Sequence, residues 1–410
     1  MPPTPTDEER RLARLVAGHE RWRGRGVFNL LPSENALSPI ARRYLASDLA
    51  GRYTLPLDLD DGGDHLDNSY AGTRFTDRIE ALANAAAARL FHGRFATTRP
   101  LSGHIAAMAA LAPLVPRGGK ILAIRPEEGG YDGYAPGYLP ALFGLTVRPL
   151  PADGPGRTVR AEAAVAEIRR ERPDAVVLGQ SFFLFPYPLR EIAEEAHAHG
   201  ALVLYDASHV LGLIAGGVFQ DPLREGADVL YGSTHKSFPG PQGGLLVTDR
   251  EDLFRQVDPA LVWRVLDNAH WNRIAGLAQT LLELERVGPE YARTVVANSR
   301  ALGAALAERT FPLVAADEGY SASHQLLLDT AELRRRHGVG SGPLARRWEA
   351  SRLITDLVGR LGTAEATRLG LRPEEMPRLA SLLERAGLRR ERVGREVLAW
   401  RREFPRLRFA

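Results

Sequence analysis

Apolar runs of strand length alternate with stretches of helical pattern through the middle of the chain. The strand-like runs begin at residues 120, 174, 201, 228 and 243, and they read KILAIRP, DAVVLGQS, ALVLYDAS, DVLYGST and GGLLVTD. The stretch REIAEEAHAHG at 190–200 is typical of the helices between them. This alternation predicts an α/β fold with a parallel sheet that helices cover on both faces. Ligands of such sheets bind beyond the carboxyl ends of the strands.

The pattern changes after about residue 285, where long Arg/Glu/Ala/Leu helices surround one clear strand, HQLLLD. The chain has 410 residues, more than one hydrophobic core usually supports. We therefore predict an N-terminal helical arm at 1–26, a large domain at 27–284 and a small C-terminal domain at 285–410. Near the C-terminus, the sequence predicts a helix with a buried stripe of Val393, Leu398, Trp400 and Phe404.

Composition and charge exclude several classes of function. The chain has no cysteine, which excludes disulfides, thiolate metal sites and cysteine nucleophiles, and we expect no metal site. Fifty-three basic and 50 acidic residues leave a net charge of only +3, so we expect no nucleic-acid partner. No apolar segment reaches the roughly 18 residues of a membrane helix. The first residues lack the apolar core of a secretory signal, and we expect a cytoplasmic protein without membrane contact.

Polar residues follow three of the predicted strands, where a ligand would bind. Ser181 ends the run DAVVLGQS, Asp206 follows ALVLY, and His235 and Lys236 follow DVLYGST. Glycine and proline fix the backbone around Lys236 in STHKSFPGPQGG, and desolvation there would lower the pKa of the amine and favour imine formation. A solvated lysine in a turn is the ordinary alternative.

Two further segments strengthen the imine interpretation. Asp206 precedes the lysine by about 30 residues and could pair with a protonated pyridine nitrogen, and His209 could lie against the same ring. In SGHIAAMAALAPLV, the residues Ser102, Gly103 and His104 begin an apolar helix whose free N–H groups would bind a phosphate. Ser102 as a simple helix cap is an equal alternative.

The motifs along the chain resemble those of serine hydroxymethyltransferase. In order, they are NLLPSENALSP, GRY, SYAG, RPLSGH, DASHVLGLIAGGV, STHKSFPGPQGG, GRLGTAEATRLG and FPRL, from about residue 27 to the C-terminus. The resemblance implies a fold-type-I enzyme dependent on pyridoxal 5′-phosphate (PLP), with a mostly parallel sheet in the large domain and a small α+β domain. It also implies an amino-acid substrate and a homodimer with shared active sites.

The resemblance also assigns roles to single residues. It makes Lys236 the Schiff-base lysine, Asp206 the partner of the pyridine nitrogen, and Ser181 and His209 neighbours of the cofactor's phenolic oxygen. The residues that would surround the phosphate are Ser102, Gly103, His104 and His235.

On the substrate side, the resemblance implies that Arg360 binds the carboxylate as a bidentate fork, with help from Ser33. Tyr131 stands where the family places a histidine over the ring face, and an aromatic ring can stack there equally well. Tyr53 would reach in from the partner subunit, and Tyr70 of SYAG would lie on the substrate side.

The sequence departs from the family where substrate and folate are handled. Leu55 stands where the family has its catalytic glutamate, and the acidic segment LDLDDGGDHLDN follows as an insertion. This insertion is either a solvated loop or a part of the active-site mouth in which Asp58 or Asp60 replaces the acid. The segment EASRLITDLVGRLGT is shorter than in the family, WRVLDN replaces a Gly-Gly-Gln-Gly-Gly stretch, and Gln242 replaces an arginine.

These departures favour a folate-independent enzyme that cleaves or exchanges the Cα–Cβ bond of a β-hydroxy-α-amino acid in specialised metabolism. Tetrahydrofolate is therefore not expected as a cofactor. The alternatives are β-elimination, decarboxylation (including an oxidative form) or transamination of a specialised amino acid or its conjugate. A true serine hydroxymethyltransferase and an inert PLP-binding partner subunit are further alternatives. The substrate, the bond broken and any assembly beyond a dimer stay open at this point.

Overall fold

The computed structural model of the chain describes residues 5–61 and 64–410, and for 56–61 and 64–67 it describes the backbone alone. The strands are β1 (Phe28–Asn29), β2 (Pro56–Asp61), β3 (Asp64–Asn68), β4 (Phe95–Thr97), β5 (Lys120–Ala123), β6 (Thr146–Pro149), β7 (Ala175–Leu178), β8 (Leu202–Asp206), β9 (Val229–Ser233), β10 (Gly244–Thr248), β11 (Gln325–Leu327), β12 (Leu353–Ile354) and β13 (Arg360–Gly362).

The helices are α1 (Asp7–His19), α2 (Pro39–Leu45), α3 (Arg74–Leu90), α4 (Gly103–Leu114), α5 (Leu139–Leu142), α6 (Ala161–Glu171), α7 (Leu189–Ala198), α8 (Leu211–Ala215), α9 (Glu251–Ala260), α10 (Trp271–Ala307), α11 (Thr330–His337), α12 (Ser341–Ala350), α13 (Ala364–Leu369), α14 (Met376–Gly387) and α15 (Gly394–Arg401). Among the described residues, none of these helices combines the length and the apolar character that crossing a bilayer requires.

A seven-stranded sheet forms the centre of the molecule, in the order β4-β10-β9-β8-β7-β5-β6. The five strands from β9 to β6 are parallel, which confirms the predicted α/β fold with a mostly parallel sheet. Every residue of β7, β9 and β10 is buried, as expected for strands covered on both faces. The predicted strand GGLLVTD is β10, which runs antiparallel to both neighbours. Apolar content alone does not give a strand's direction.

Side chains of each central strand point alternately into two hydrophobic cores. In β7, Val176 and Leu178 pack into one core with α7, whereas Ala175 and Val177 pack into the other with α4. This alternation follows from the two-residue period of a strand. The sheet therefore holds its carboxyl edge between two rigid helical layers.

A third hydrophobic core lies around the C-terminal third of the chain. It contains Phe28, Leu306, Trp348 and Trp400, so the residues of β1 pack with the C-terminal segments. The strands β11 and β13 pair antiparallel, and β12 pairs in parallel with β1. Helix α10, of 37 residues, runs from the first core to this one and contains residue 285. The domain boundaries at 26/27 and 284/285 stay predictions.

Both chain ends carry helices. In α1, a capping box joins Thr6 and Glu9, and no residue of this helix is buried. Helix α15 buries Val397 and Trp400 beside Val393, whereas the predicted Leu398 and Phe404 are only half-buried. Residues 397, 400 and 401 have the i, i+3, i+4 spacing of one helix face, whereas Leu398 lies outside this face and Phe404 lies beyond the end of the helix.

Candidate active site

The polar residues predicted to meet at the carboxyl edge of the sheet do meet there. The amine of Lys236, three residues after β9, lies 3.4 Å from Nε2 of His209. Asp206 is the last residue of β8. Arg360, the first residue of β13, donates a 2.8 Å hydrogen bond from Nη1 to the carbonyl of Ser181. The parallel direction of β7, β8 and β9 puts Ser181, Asp206 and Lys236 on one rim because the carboxyl ends of these strands share an edge. Arg360 reaches this rim from the separate pair of β11 and β13.

Lys236 lies in a desolvated, half-buried position. Burial lowers the pKa of its amine, the charge of Asp206 partly opposes this, and the charge of Arg360 adds to it, which brings the pKa to about 8. A substantial fraction of the amine is therefore neutral near pH 8, which a nucleophile requires.

The carboxylate of Asp206 is held by donors on both oxygens. The backbone N–H of Ser208 donates to Oδ1 at 2.9 Å, and the hydroxyl of Tyr134 donates to Oδ2 at 2.7 Å. Tyr134 also lies 2.8 Å from the hydroxyl of Tyr231, and burial raises the pKa of Tyr134 well above its usual value. Sequence reasoning missed Tyr134, although it is the second tyrosine of the EEGGYDGY segment that supplied Tyr131.

His209 is buried between two side chains of the C-terminal segments. Its Nδ1 lies 2.7 Å from Nε2 of Gln325, and its ring stacks on that of His324 with a centroid distance of 6.0 Å and an interplanar angle of 15°. Burial, together with the charges of Lys236 and Arg360, lowers the pKa of His209 well below its usual value. The ring is therefore neutral at physiological pH.

The start of α4 provides the predicted helix N-terminus. Ser102 is its N-cap, because Oγ accepts a 3.1 Å hydrogen bond from the N–H of Ile105. A Cβ on Gly103 would lie 2.3 Å from Oγ of Ser233, so this position accommodates only glycine. Nδ1 of His104 lies 3.1 Å from the hydroxyl of Tyr131.

These residues fit PLP. Nδ1 of His235 is buried and has no hydrogen-bond partner among the described residues, and burial lowers the pKa of this ring to about 4. A ring nitrogen without a partner, the first N–H groups of α4 and the amine of Lys236 are groups that an anionic aldehyde cofactor would satisfy.

Arg360 is fixed by three neighbours. Its Nε donates to Oδ2 of Asp356 at 2.6 Å, its Nη1 donates to Ser181, and its guanidinium lies 5.0 Å from the ring centroid of Phe182. The other oxygen of Asp356 accepts N–H groups from residues 358, 359 and 360. Nη2 has no hydrogen-bond partner among the described residues. Sequence reasoning missed Asp356, whose only signal is its spacing of four from Arg360.

Two other predicted residues, Tyr53 and Tyr70, contact each other at the surface. The hydroxyl of Tyr53 donates to Oδ2 of Asp267 at 2.8 Å, and the rings of Tyr53 and Tyr70 meet edge to face with centroids 5.2 Å apart. These two tyrosines are 41% and 47% exposed, and neither makes a described hydrogen bond to the groups around Lys236.

The last predicted site residues are Ser33, Leu55 at the position of the family's glutamate, and the two aspartates considered as its replacement. Ser33 is half-buried and follows Pro32, whose carbonyl lies 3.0 Å from Nε2 of His324. Leu55 is half-buried as well. The side chains of Asp58 and Asp60, considered as replacement acids, lie outside the described part of the structure.

Residues 6–341 match the family model described as serine hydroxymethyltransferase. The chain belongs to the serine hydroxymethyltransferase family. Curated relatives named serine hydroxymethyltransferase include one from Pyrococcus abyssi, 34% identical over 97% of this chain and 95% of the relative. Another, from Pyrobaculum arsenaticum, is 37% identical over 96% of this chain and 93% of the relative.

The fold of this family member is also that of a solved structure. An L-threonine transaldolase from Pseudomonas fluorescens superposes with a TM-score of 0.87, covering 97% of this chain and 91% of the other, at 22% identity. The fold-type-I assignment is confirmed, and the chain is a PLP-dependent enzyme of the transferase and lyase type.

Proposed function

We propose that this family member cleaves or exchanges the Cα–Cβ bond of a β-hydroxy-α-amino acid without tetrahydrofolate. The observation that carries the proposal is Leu55, which stands where the family has its catalytic glutamate and cannot exchange a proton. The similarity in fold to an L-threonine transaldolase supports the same conclusion. The shortened segment before Arg360 further supports the loss of a folate pocket.

Lys236 would hold the aldehyde of PLP, and Asp206 would pair with the pyridine nitrogen. The start of α4 at Ser102, Gly103 and His104, together with His235, would hold the phosphate. When bound, PLP supplies an electron sink that makes a bond to Cα of an amino acid labile. Tyr131 and His209 are the proposed neighbours of the ring and its phenolic oxygen.

Arg360 is the proposed site for the substrate carboxylate. Asp356, Ser181 and Phe182 fix its guanidinium before any substrate arrives, so little side-chain entropy is lost on binding. The substrate amino group would replace Lys236 at the aldehyde carbon of PLP, and Arg360 would hold the carboxylate. With these two substituents of Cα fixed, the bond to Cβ is the one that we propose is cleaved, and hydrogen stays on Cα.

Cleavage of Cα–Cβ also requires proton transfer. The β-hydroxyl loses its proton as the aldehyde forms, and Cα then takes up a proton or a second aldehyde. Without a carboxylate at residue 55, Tyr131, whose hydroxyl lies 3.1 Å from Nδ1 of His104, is our candidate for this transfer. Burial, with Asp206 and Asp132 adding to it, raises the pKa of Tyr131, which keeps the hydroxyl protonated at rest.

We also propose a homodimer with shared active sites. Tyr53 and Tyr70 are exposed and make no described hydrogen bond to the groups around Lys236 of the same chain, as expected for residues that complete the site of a second copy. Exposed apolar side chains of α1, namely Leu12, Leu15 and Val16, are consistent with an arm that packs on a partner.

A folate-dependent serine hydroxymethyltransferase is the second candidate, because the curated relatives carry that name. The deciding experiment incubates the purified enzyme with L-threonine or L-serine, with and without tetrahydrofolate. It measures glycine together with the released aldehyde, which is acetaldehyde from threonine and formaldehyde from serine. A second aldehyde is added to detect exchange. Threonine cleavage or exchange that is indifferent to tetrahydrofolate supports the proposal. Serine cleavage that depends on tetrahydrofolate overturns it and establishes the second candidate.

A further inference from the structure

Gln325 connects the C-terminal segments with the site around Lys236. It is the first residue of β11, and only 1% of its surface is exposed. Its Oε1 accepts a 3.0 Å hydrogen bond from the N–H of Phe183. Its Nε2 lies 3.2 Å from the carbonyl of Ser181 and 2.7 Å from Nδ1 of His209.

The orientation of this amide follows from its two backbone partners. The N–H of Phe183 can only donate, so it needs the oxygen of Gln325, and the carbonyl of Ser181 can only accept, so it needs the nitrogen. The reversed amide would face a donor with a donor and an acceptor with an acceptor, in a buried position where unpaired polar groups are costly. The nitrogen of Gln325 therefore points at His209.

The proton position on His209 follows from this orientation. Nε2 of Gln325 is a donor, so Nδ1 of His209 must be an acceptor and carries no proton. In a neutral imidazole, the proton then resides on Nε2, the nitrogen that lies 3.4 Å from the amine of Lys236. The low pKa of the buried ring is consistent with a neutral form that has only one proton to place.

We propose that Gln325 is a positioning residue that fixes His209 in its Nε2–H form, so that His209 presents a hydrogen-bond donor to the groups around Lys236. A ring held in this way donates to an oxygen or to a neutral amine. It does not accept a proton there at rest. The consequence for catalysis rests on the proposed function, whereas the position of the proton does not.

The same contacts connect His209 with the substrate-binding arginine. Arg360 is on β13, which pairs with β11, and its Nη1 donates to the Ser181 carbonyl that also accepts from Gln325. One carbonyl at the carboxyl edge therefore receives a donor from each of two paired strands. Displacement of β11 would change the donors to His209 and Ser181 together.

The test is long-range ¹H–¹⁵N NMR of the histidine rings in the full-length, PLP-loaded protein and in the same chain without PLP. His209 is assigned from the signal that disappears in His209→Asn. In the wild type we expect an unprotonated Nδ1 and a protonated Nε2. In Gln325→Glu we expect the proton on Nδ1 and a raised pKa of His209, because a carboxylate accepts where the amide nitrogen donated.

Gln325→Leu and a matched control complete the experiment. With no donor at Nδ1, the leucine variant should show a mixture of the two tautomers, and kcat/KM of both variants should fall by about tenfold or more. Gln220 is the control, because it is a buried glutamine that bridges the backbone of Tyr187 without contacting His209. Gln220→Leu should leave the His209 signals unchanged.

A protonated Nδ1 in the wild type overturns the proposal, as do unchanged His209 signals in Gln325→Glu. A Gln220→Leu variant that shifts the tautomer as much as Gln325→Leu also overturns it, because the effect would then be general loosening. If Gln325→Leu does not fold, the NMR signals of His209 in the wild type and in Gln325→Glu still test the proposal. A confirmed tautomer in an enzyme that requires tetrahydrofolate would refute the proposed function and leave this inference intact.

Discussion

The hydroxyl of Tyr134 donates a 2.7 Å hydrogen bond to Oδ2 of Asp206. With the N–H of Ser208 on Oδ1, both oxygens of this carboxylate carry a donor from the chain itself. Two donors on opposite oxygens fix the orientation of a carboxylate. The proposed partner of the pyridine nitrogen is therefore positioned before the cofactor binds.

Loss of the Tyr134 hydroxyl should weaken PLP binding. In Tyr134→Phe, we expect a loss of about 1 kcal/mol in binding free energy, because Asp206 loses a hydrogen bond that orients it. Titration of the apoenzyme with PLP, followed by absorbance, gives the Kd. The matched control is Tyr205→Phe, which removes a buried hydroxyl bonded to Gln220 and leaves Asp206 untouched. Equal affinities of the two variants would contradict the role of Tyr134.

Lys236 should be the single lysine that captures PLP. The chain has only two lysines, Lys236 and Lys120, and the latter pairs with Glu171. After incubation with PLP and borohydride reduction, we expect the adduct at residue 236 by peptide mass spectrometry. Lys236→Ala should abolish it, and Lys120→Arg should retain it. The capture rate should rise with pH and level off above about pH 8, because only the neutral amine attacks. An adduct on Lys120 alone would refute the assignment.

Arg360 should bind the amino acid and contribute little to holding the cofactor. In Arg360→Ala, we expect amino-acid binding to weaken by about 2–5 kcal/mol, since the carboxylate loses its buried partner. PLP affinity should change far less. Arg372→Ala, which removes an arginine paired with Glu290, serves as the control for general destabilisation. A similar loss of both ligands in Arg360→Ala would mean that this arginine is structural.

Restoring an acid at residue 55 should not restore folate chemistry. We expect Leu55→Glu to show no tetrahydrofolate-dependent cleavage of serine, because a proton donor without a folate pocket has no one-carbon acceptor to serve. The acidic insertion that follows residue 55 would also repel the anionic tail of a folate polyglutamate. Glycine formation from serine, with and without tetrahydrofolate, is the measurement. An increase of orders of magnitude on adding tetrahydrofolate to the wild type would show that another group supplies the acid.

Glu365 should make stability depend on pH. Burial raises the pKa of this carboxyl to about 7, and Glu34 adds to the effect, while Asn29 donates to it at 2.8 Å. The folded chain therefore keeps a proton that the unfolded chain releases, and the free energy of unfolding should fall as pH rises from about 4.5 to 7.

Glu365→Gln removes this penalty. Urea unfolding at each pH gives the free energy of unfolding of the variant minus that of the wild type. We expect this difference to be about 2 kcal/mol larger at pH 8 than at pH 5. Glu332→Gln is the control, because its arginine partners lower the pKa of Glu332 to about 2 and the pH dependence has the opposite sign. A pH-independent difference between Glu365→Gln and wild type would contradict the prediction.

Sequence alone determined five of the seven strands of the central sheet and the polar residues at its carboxyl edge, whereas β4 and β6 were not predicted. An apolar run shows a buried strand by its local pattern, and parallel strands bring their ends together wherever helices connect them. Ser181, Asp206 and Lys236 could therefore be placed on one rim before any contact was known. The family motifs added Arg360, which lies far away in the sequence.

Only the tertiary structure decided which side chains orient those residues. Tyr134 reaches Asp206 across 72 residues of sequence, and Gln325 reaches His209 across 116. Periodicity reports the face on which a residue lies, not the distant side chain that it meets. The reversed direction of β10 was hidden for the same reason. Such contacts depend on how separately formed segments pack, and local patterns in the chain do not encode that packing.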